Sequence, residues 1–195
     1  MAMEPEQSTA EHLMIARQLI LKDGYIEMMG NRMIMPNSKM LSALILKFND
    51  SKEIVYDIYE TTKKSFEEGT ALEIGKKYEM DFHGYFEWLT KIAMLVGWGK
   101  FSWELLDQDK KVGKIYVENS AIAQDLKGQV KSPVDHFVRG LIAGGASVSL
   151  KENIDVIEQQ CLALGAYRCE FLFKPADQFE QNEQTALQIR PMIKK

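Results

Sequence analysis

Glu158-Gln159-Gln160-Cys161-Leu162-Ala163-Leu164-Gly165-Ala166-Tyr167-Arg168-Cys169-Glu170-Phe171-Leu172-Phe173 is the stretch on which the fold of this chain turns. It holds both cysteines of the 195 residues. The strand-like runs Ile154 to Cys161 and Tyr167 to Phe173 flank Gly165, the pattern of a tight β-hairpin. With the turn centred on Gly165, Cys161 falls opposite Cys169. Cross-strand partners have Cβ atoms about 4.5–5.5 Å apart, close enough for two thiolates to share one ion. Tyr167, Cys169, Phe171 and Phe173 then share a face. Glu158 sits at an odd offset from Cys161, which in a regular strand points to the other face. A bulge at Gln159-Gln160 returns it to the side of Cys161, and also brings Ile154 and Val156 onto the face of Phe171 and Phe173. The thiols have three readings: a metal clip, a cross-strand disulfide, or two buried core thiols. A tetrahedral zinc needs a fourth ligand, and Asp135-His136, at the start of the preceding helix, offers suitable chemistry.

Outward from the hairpin, Pro133 fits the first turn of a helix capped by Ser132. That helix carries Phe137, Val138, Leu141 and Ile142 and runs to about Ser147. Its Gly140-x3-Gly144-Gly145 lies inside a helix, so it reads as close packing against a neighbour and not as a phosphate cradle. Before it, Phe101, Trp103 and Leu105 alternate, Asp107 to Gly113 is turn-like, and Ile115 and Val117 alternate again, a second hairpin. Asn119 to Ser132 reads as a loop with a helical turn. Earlier still, Thr9 to Lys22 reads as a helix stopped by Gly24, and Tyr25 to Met35 as a hairpin around Gly30-Asn31. Helices follow at Met40 to Phe48, Glu53 to Phe66 and Met80 to Val96. Pro175 ends the last hairpin, leaving a polar, weakly ordered tail at 176–195. Helices and antiparallel strands are segregated, so the fold class is α+β: an antiparallel sheet of hairpins packed against several helices. Three parts are expected: an N-terminal helix (1–23) serving as a dimerisation arm, a domain at 24–175, and the tail.

Composition excludes several functions. The chain is 46% hydrophobic and 27% charged with a net charge of −4, signs interspersed, and lacks the basic stripe that nucleic acid needs. The longest apolar run, Ile92 to Trp98, is far short of a membrane span. Residues 1–6 show no apolar signal segment, so a cytoplasmic protein is expected, where a stable disulfide is disfavoured. His12 and His83 read as helix-face histidines. No catalytic constellation or nucleotide or flavin motif stands out.

Val134-Asp135-His136-Phe137-Val138-Arg139-Gly140-Leu141-Ile142-Ala143-Gly144, followed by Glu158-x2-Cys161-x3-Gly165-x3-Cys169-x-Phe171, resembles the C-terminal core of the 4-vinyl reductase domain family. Gly30-Asn31-Arg32-Met33-Ile34-Met35-Pro36 resembles its N-terminal hairpin, so the likeness covers most of 24–175. The resemblance implies a small α+β ligand-binding domain, of a fold shared with Golgi transport-complex subunits and nitric-oxide-sensing haem domains. Related domains are sensory modules for phenols and aromatic hydrocarbons. In them a structural zinc is held by a Cys at the helix start, a Glu and two Cys. Glu158, Cys161 and Cys169 match three of these ligands. The fourth position falls on Asp135, a departure from the family's Cys, with His136 the alternative. The expected function is to bind a small hydrophobic ligand, a hydrocarbon or an aromatic, as a sensor or carrier. The pocket between helices and sheet is expected to be lined by Phe82, Phe86, Leu89, Trp98, Trp103, Phe137 and Leu141. A homodimer through the helices around 9–48 is expected. The alternative is a protein-interaction adaptor of the transport-complex type with no free pocket. A reductase would need a redox cofactor that no motif here accounts for.

Overall fold

The structure is a computed structural model that describes residues 17–69, 81–180 and 182–191. The chain divides into two compact units, Met1–Met35 and Pro36–Lys195.

Within the first unit, β1 (Leu19–Lys22), β2 (Tyr25–Met28) and β3 (Asn31–Met33) form an antiparallel sheet in that order. Lys22 pairs with Tyr25, leaving Asp23-Gly24 as a two-residue loop with Gly24 at φ +70°. Leu19 to Lys22, expected as the end of a helix, is therefore a strand. Leu19-Ile20-Leu21 carries no helical period, and Asp-Gly is a hairpin signal before it is a helix stop. The rest of that helix, with His12 and the expected arm, lies outside the described residues, as does Met80. The expected hairpin that follows is present. Its turn is Met29-Gly30, both left-handed at φ +53° and +80°, one residue earlier than Gly30-Asn31.

The second unit holds α1 (Ser38–Phe48), α2 (Lys52–Glu68), α3 (Phe82–Leu95), β4 (Lys100–Asp107), β5 (Val112–Glu118), α4 (Ala121–Asp125), α5 (His136–Leu150), β6 (Ile154–Gln160), β7 (Cys169–Pro175) and α6 (Glu183–Ala186). Side-chain caps start the early helices. Asn37 Oδ1 accepts from the Met40 amide at 2.9 Å and Asp81 Oδ1 from Gly84 at 2.7 Å. The sheet order is β4-β5-β7-β6, with every pair antiparallel. One face carries Ile115, Ile154, Val156, Phe171 and Phe173, all buried. Phe86 of α3 stacks on Phe173 at 5.5 Å, which places α3 over this face. Helix α5 packs on the same sheet and meets α2 on its other side. A Cβ at Gly140 would sit 2.6 Å from Thr62 Cβ, and one at Gly144 2.7 Å from the Lys63 carbonyl oxygen. The glycines thus form a close helix–helix seam, as their spacing suggested.

Three expectations change. Helix α5 starts at His136, not at Pro133, and its N-cap is Asp135. Ser132 Oγ instead accepts from Asn49 Nδ2 at 2.7 Å. A bulge between Trp103 and Leu105 breaks the expected alternation: Trp103 stays opposite Ile115 while Leu105 turns to the other face and is exposed. The polar tail is ordered through residue 191 in its described part, because its few apolar side chains find the core. Phe179 and Ile189 are buried with Ile157, and Gln188 is 1% exposed. Among the described residues, no helix is long and apolar enough to cross a membrane.

Candidate metal centre

The hairpin forms with the expected extra residue. Glu158 pairs with Phe171 and Gln160 with Glu170, so Gln159 is the bulge. Glu158 therefore shares the buried face with Phe171. Beyond Gln160 the chain makes a short helical turn, Leu162–Leu164, closed by Gly165 at φ +98°, where a residue with a Cβ would be strained. Tyr167 does not join the buried face; it is 85% exposed. Cys161 and Cys169 are both buried and not joined to each other.

Glu158, Cys161 and Cys169 offer ligand atoms that all lie within 4.8 Å of one another. Asp135 joins them from the head of α5. It is the N-cap, yet its side chain caps nothing. Its carboxylate faces Cys169 and accepts from Ser120 Oγ at 2.8 Å, while its amide donates to Glu158 Oε2 at 3.1 Å. The Leu162 amide donates to Cys169 Sγ at 3.3 Å. Two buried oxygens, Asp135 Oδ2 and Glu158 Oε1, have no hydrogen-bond partner.

Four acidic groups in one dry space disturb one another. Burial, with the neighbouring Asp135 and Cys161, pushes the Glu158 carboxyl well above the usual range, and burial raises Asp135 too. A hydrogen bond from Cys169 holds the Cys161 thiol down to about 7, and the same bond together with burial pushes Cys169 up. A cation placed here would remove the conflict, since it offsets the charge and satisfies both orphan oxygens. Two thiolates with carboxylate oxygens are a zinc-type donor set, so the residues fit the metal that the family resemblance implies.

His136 is engaged elsewhere. Arg139 Nη2 donates to its Nδ1 at 3.3 Å, which leaves the proton on Nε2, facing Asn49 Oδ1 at 2.7 Å. Burial, then the Arg139 charge, holds its pKa well below the usual value. Arg139 itself is fully buried, lies over the Tyr59 ring at 4.5 Å, and donates through Nη1 to the carbonyls of Val156 (3.2 Å) and Gln188 (2.8 Å). The side chain of Gln188 brackets the backbone of Glu158: its Oε1 accepts from the Glu158 amide at 2.8 Å and its Nε2 donates to the carbonyl at 3.1 Å. Neither Arg139 nor Gln188 was among the site residues expected from sequence. Gln188 lies in a segment whose composition reads as a solvated tail.

The seven expected pocket residues fall on one side of the sheet or its covering helices. Phe82 and Phe86 are buried, 5.0 Å apart, in the core. Trp98 and Phe137 pair at 6.0 Å and are half-buried. Leu89 abuts Gly145, one turn beyond Leu141 on α5. Trp103 is 37% exposed on β4. None of the seven lines the open cleft of about 540 Å³ between α2 and the C-terminal segment, whose walls are polar: Glu60, Lys63, Asp155 and Arg190 among them.

Residues 114–175 match the family model of the 4-vinyl reductase domain. Among solved structures, the chain resembles the phenol-responsive sensory domain of the transcription activator PoxR, crystallised with phenol. The TM-score is 0.76 at 19% identity, over 96% of this chain and 100% of that one. Two looser likenesses are a vinyl-4-reductase family protein from Methanocaldococcus jannaschii (TM-score 0.44, 19% identity, 72% of this chain and 96% of that one) and a trafficking protein particle complex subunit 3 from Naegleria fowleri covalently bound to palmitic acid (0.40, 12%, 71% and 81%). No curated protein matches the chain. The chain therefore carries a 4-vinyl reductase domain at 114–175, the stretch that supplies Asp135, Glu158, Cys161 and Cys169, on the α+β fold of the PoxR sensory domain.

Proposed function

We propose that this protein binds a small hydrophobic ligand, a hydrocarbon or an aromatic of phenol size, as a sensor or carrier, and that Asp135, Glu158, Cys161 and Cys169 hold a structural zinc. The observation that carries the zinc is the pair of orphan oxygens beside two unjoined buried thiols. The metal would act as a cross-link between the head of α5 and the β6–β7 turn, and supplies no reaction. The observation that supports the ligand is the likeness in fold, along its full length, to a phenol-responsive domain. The half-buried group Leu89, Trp98, Phe137 and Leu141, placed between α3, α5 and β4, is where such a ligand would sit. A second copy of the chain is the proposed partner, supported by the exposed Met40, Leu44 and Leu46 on α1.

The ligand is tested with phenol and a set of larger aromatic hydrocarbons, by tryptophan fluorescence and thermal shift on the full chain. Binding is expected to stabilise the fold by about 2.7 kcal/mol at a hundredfold excess over Kd. Phe137→Ala is expected to abolish the response. Hydrocarbons that neither quench the tryptophans nor raise the melting temperature would contradict the reading.

A further inference from the structure

β6 is an edge strand, and at its bulge the amide and carbonyl of Glu158 point away from β7 with no strand to pair them. Gln188 stands in for that strand. One side chain, 1% exposed, takes both backbone groups of Glu158. Arg139 Nη1 bonds the Gln188 carbonyl and the Val156 carbonyl together, tying the same segment to β6 a second time. Ile189 is buried against Ile157 beside it.

The outer side of this segment is gripped by α2. Tyr56 donates to the Ala186 carbonyl. Arg190 reaches three carboxylates spaced along one face of α2: Glu53 at 2.7 Å, Asp57 at 2.8 Å and Glu60 at 3.1 Å. That grip is solvent-accessible, with the Arg190 side chain 40% exposed, whereas the Gln188 bonds are dry.

We propose that the segment 182–190 is a strap, and that Gln188 is the positioning residue that fixes Glu158 as a metal ligand. The inference rests on the zinc reading above and goes beyond it: the strength of the metal site is set from outside the 114–175 stretch that matches the family. A bulged edge strand is locally weak, and a carboxylate carried on it is only as well aimed as the backbone beneath it. Whatever draws the strap off α2 reaches the ligand through two hydrogen bonds.

The test uses the full-length, untagged chain as wild type, Gln188→Ala, Arg190→Ala, and Ile45→Val as a core change away from the strap. Three readouts are taken: zinc affinity by chelator competition, the thiolate-to-cobalt charge-transfer band of the Co(II) form, and hydrogen exchange at the Glu158 amide. Gln188→Ala is expected to lose affinity by about tenfold or more, alter the cobalt band and speed exchange at Glu158. Arg190→Ala, which touches no ligand, is expected to show a smaller loss of the same sign. Ile45→Val, which lowers stability alone, is expected to leave the affinity and the band unchanged.

Wild-type affinity and spectrum in Gln188→Ala would overturn the strap. If that variant does not fold, unchanged affinity and unchanged Glu158 exchange in Arg190→Ala would overturn it as well. A wild-type chain that takes up neither zinc nor cobalt sinks the metal reading itself, and the strap's role falls with it. That failure is told apart by the wild type alone.

Discussion

Asp135 Oδ2 and Glu158 Oε1 are buried acceptors without donors, and each such group costs about 1–3 kcal/mol if left so. The account gives both oxygens one remedy, a shared cation, and that has a consequence for single substitutions. Cys169→Ser is expected to lower the melting temperature to that of the wild type stripped by chelator, with no further loss when chelator is added to the variant. A separate expectation concerns the buried phenols. Burial, then Asp155, raises the Tyr59 pKa well above 10, and burial raises Tyr85. Both are held protonated by the fold, so the stability they contribute is whole below the unfolded value of about 10 and is lost as pH rises through it. The urea midpoint should be flat from neutral pH to about 9 and fall beyond, less steeply in Tyr85→Phe; an equal fall in that variant would remove Tyr85 from the account. At this scale the two cysteines and Glu158 were legible, because cross-strand spacing places them together once a bulge is allowed. The choice between Asp135 and His136 was not legible in spacing, since neighbours at a helix start differ only in where each side chain turns. Gln188 was not legible at all, because its role depends on a segment far away in the chain.

The seam between α2 and α5 is made by backbone contact and leaves no room for side chains at Gly140 and Gly144. Gly144→Ala would drive a methyl group toward the Lys63 carbonyl, which cannot move without shifting α2. The expected cost is about 1–3 kcal/mol, read as a lower urea midpoint at unchanged slope. A midpoint equal to wild type would show that the helices are not so close. Gly-x3-Gly inside an apolar helical period is enough to announce this seam from sequence. The hairpins were equally legible, down to Gln159 as the extra residue. β1 was not, because Leu19-Ile20-Leu21 has no alternation, and Asp23-Gly24 ends a helix as readily as it turns a hairpin. The start of α5 slipped for a related reason: Ser132-Pro133 has the right chemistry for a cap, but Asn49 claims Ser132, and the chain first turns helical at His136.

For the molecule as a whole, the sequence announced an α+β fold with a buried Glu–Cys–Cys cluster, and the structure has both. A ligand cavity was beyond its reach, because an apolar stripe looks the same whether it closes a core or lines a pocket: Phe82 and Phe86 are packed, while Trp98, Phe137 and Leu141 are half-buried. The central claim is that four buried side chains from the head of α5, β6 and the β6–β7 turn are gathered to hold one metal ion. The most direct test is the metal content of untagged protein by elemental analysis, beside Cys161→Ser. The account expects about one zinc per chain in the wild type and none in the variant. A wild type that binds no metal, with both thiols titrating as free and unreactive core groups, would contradict it.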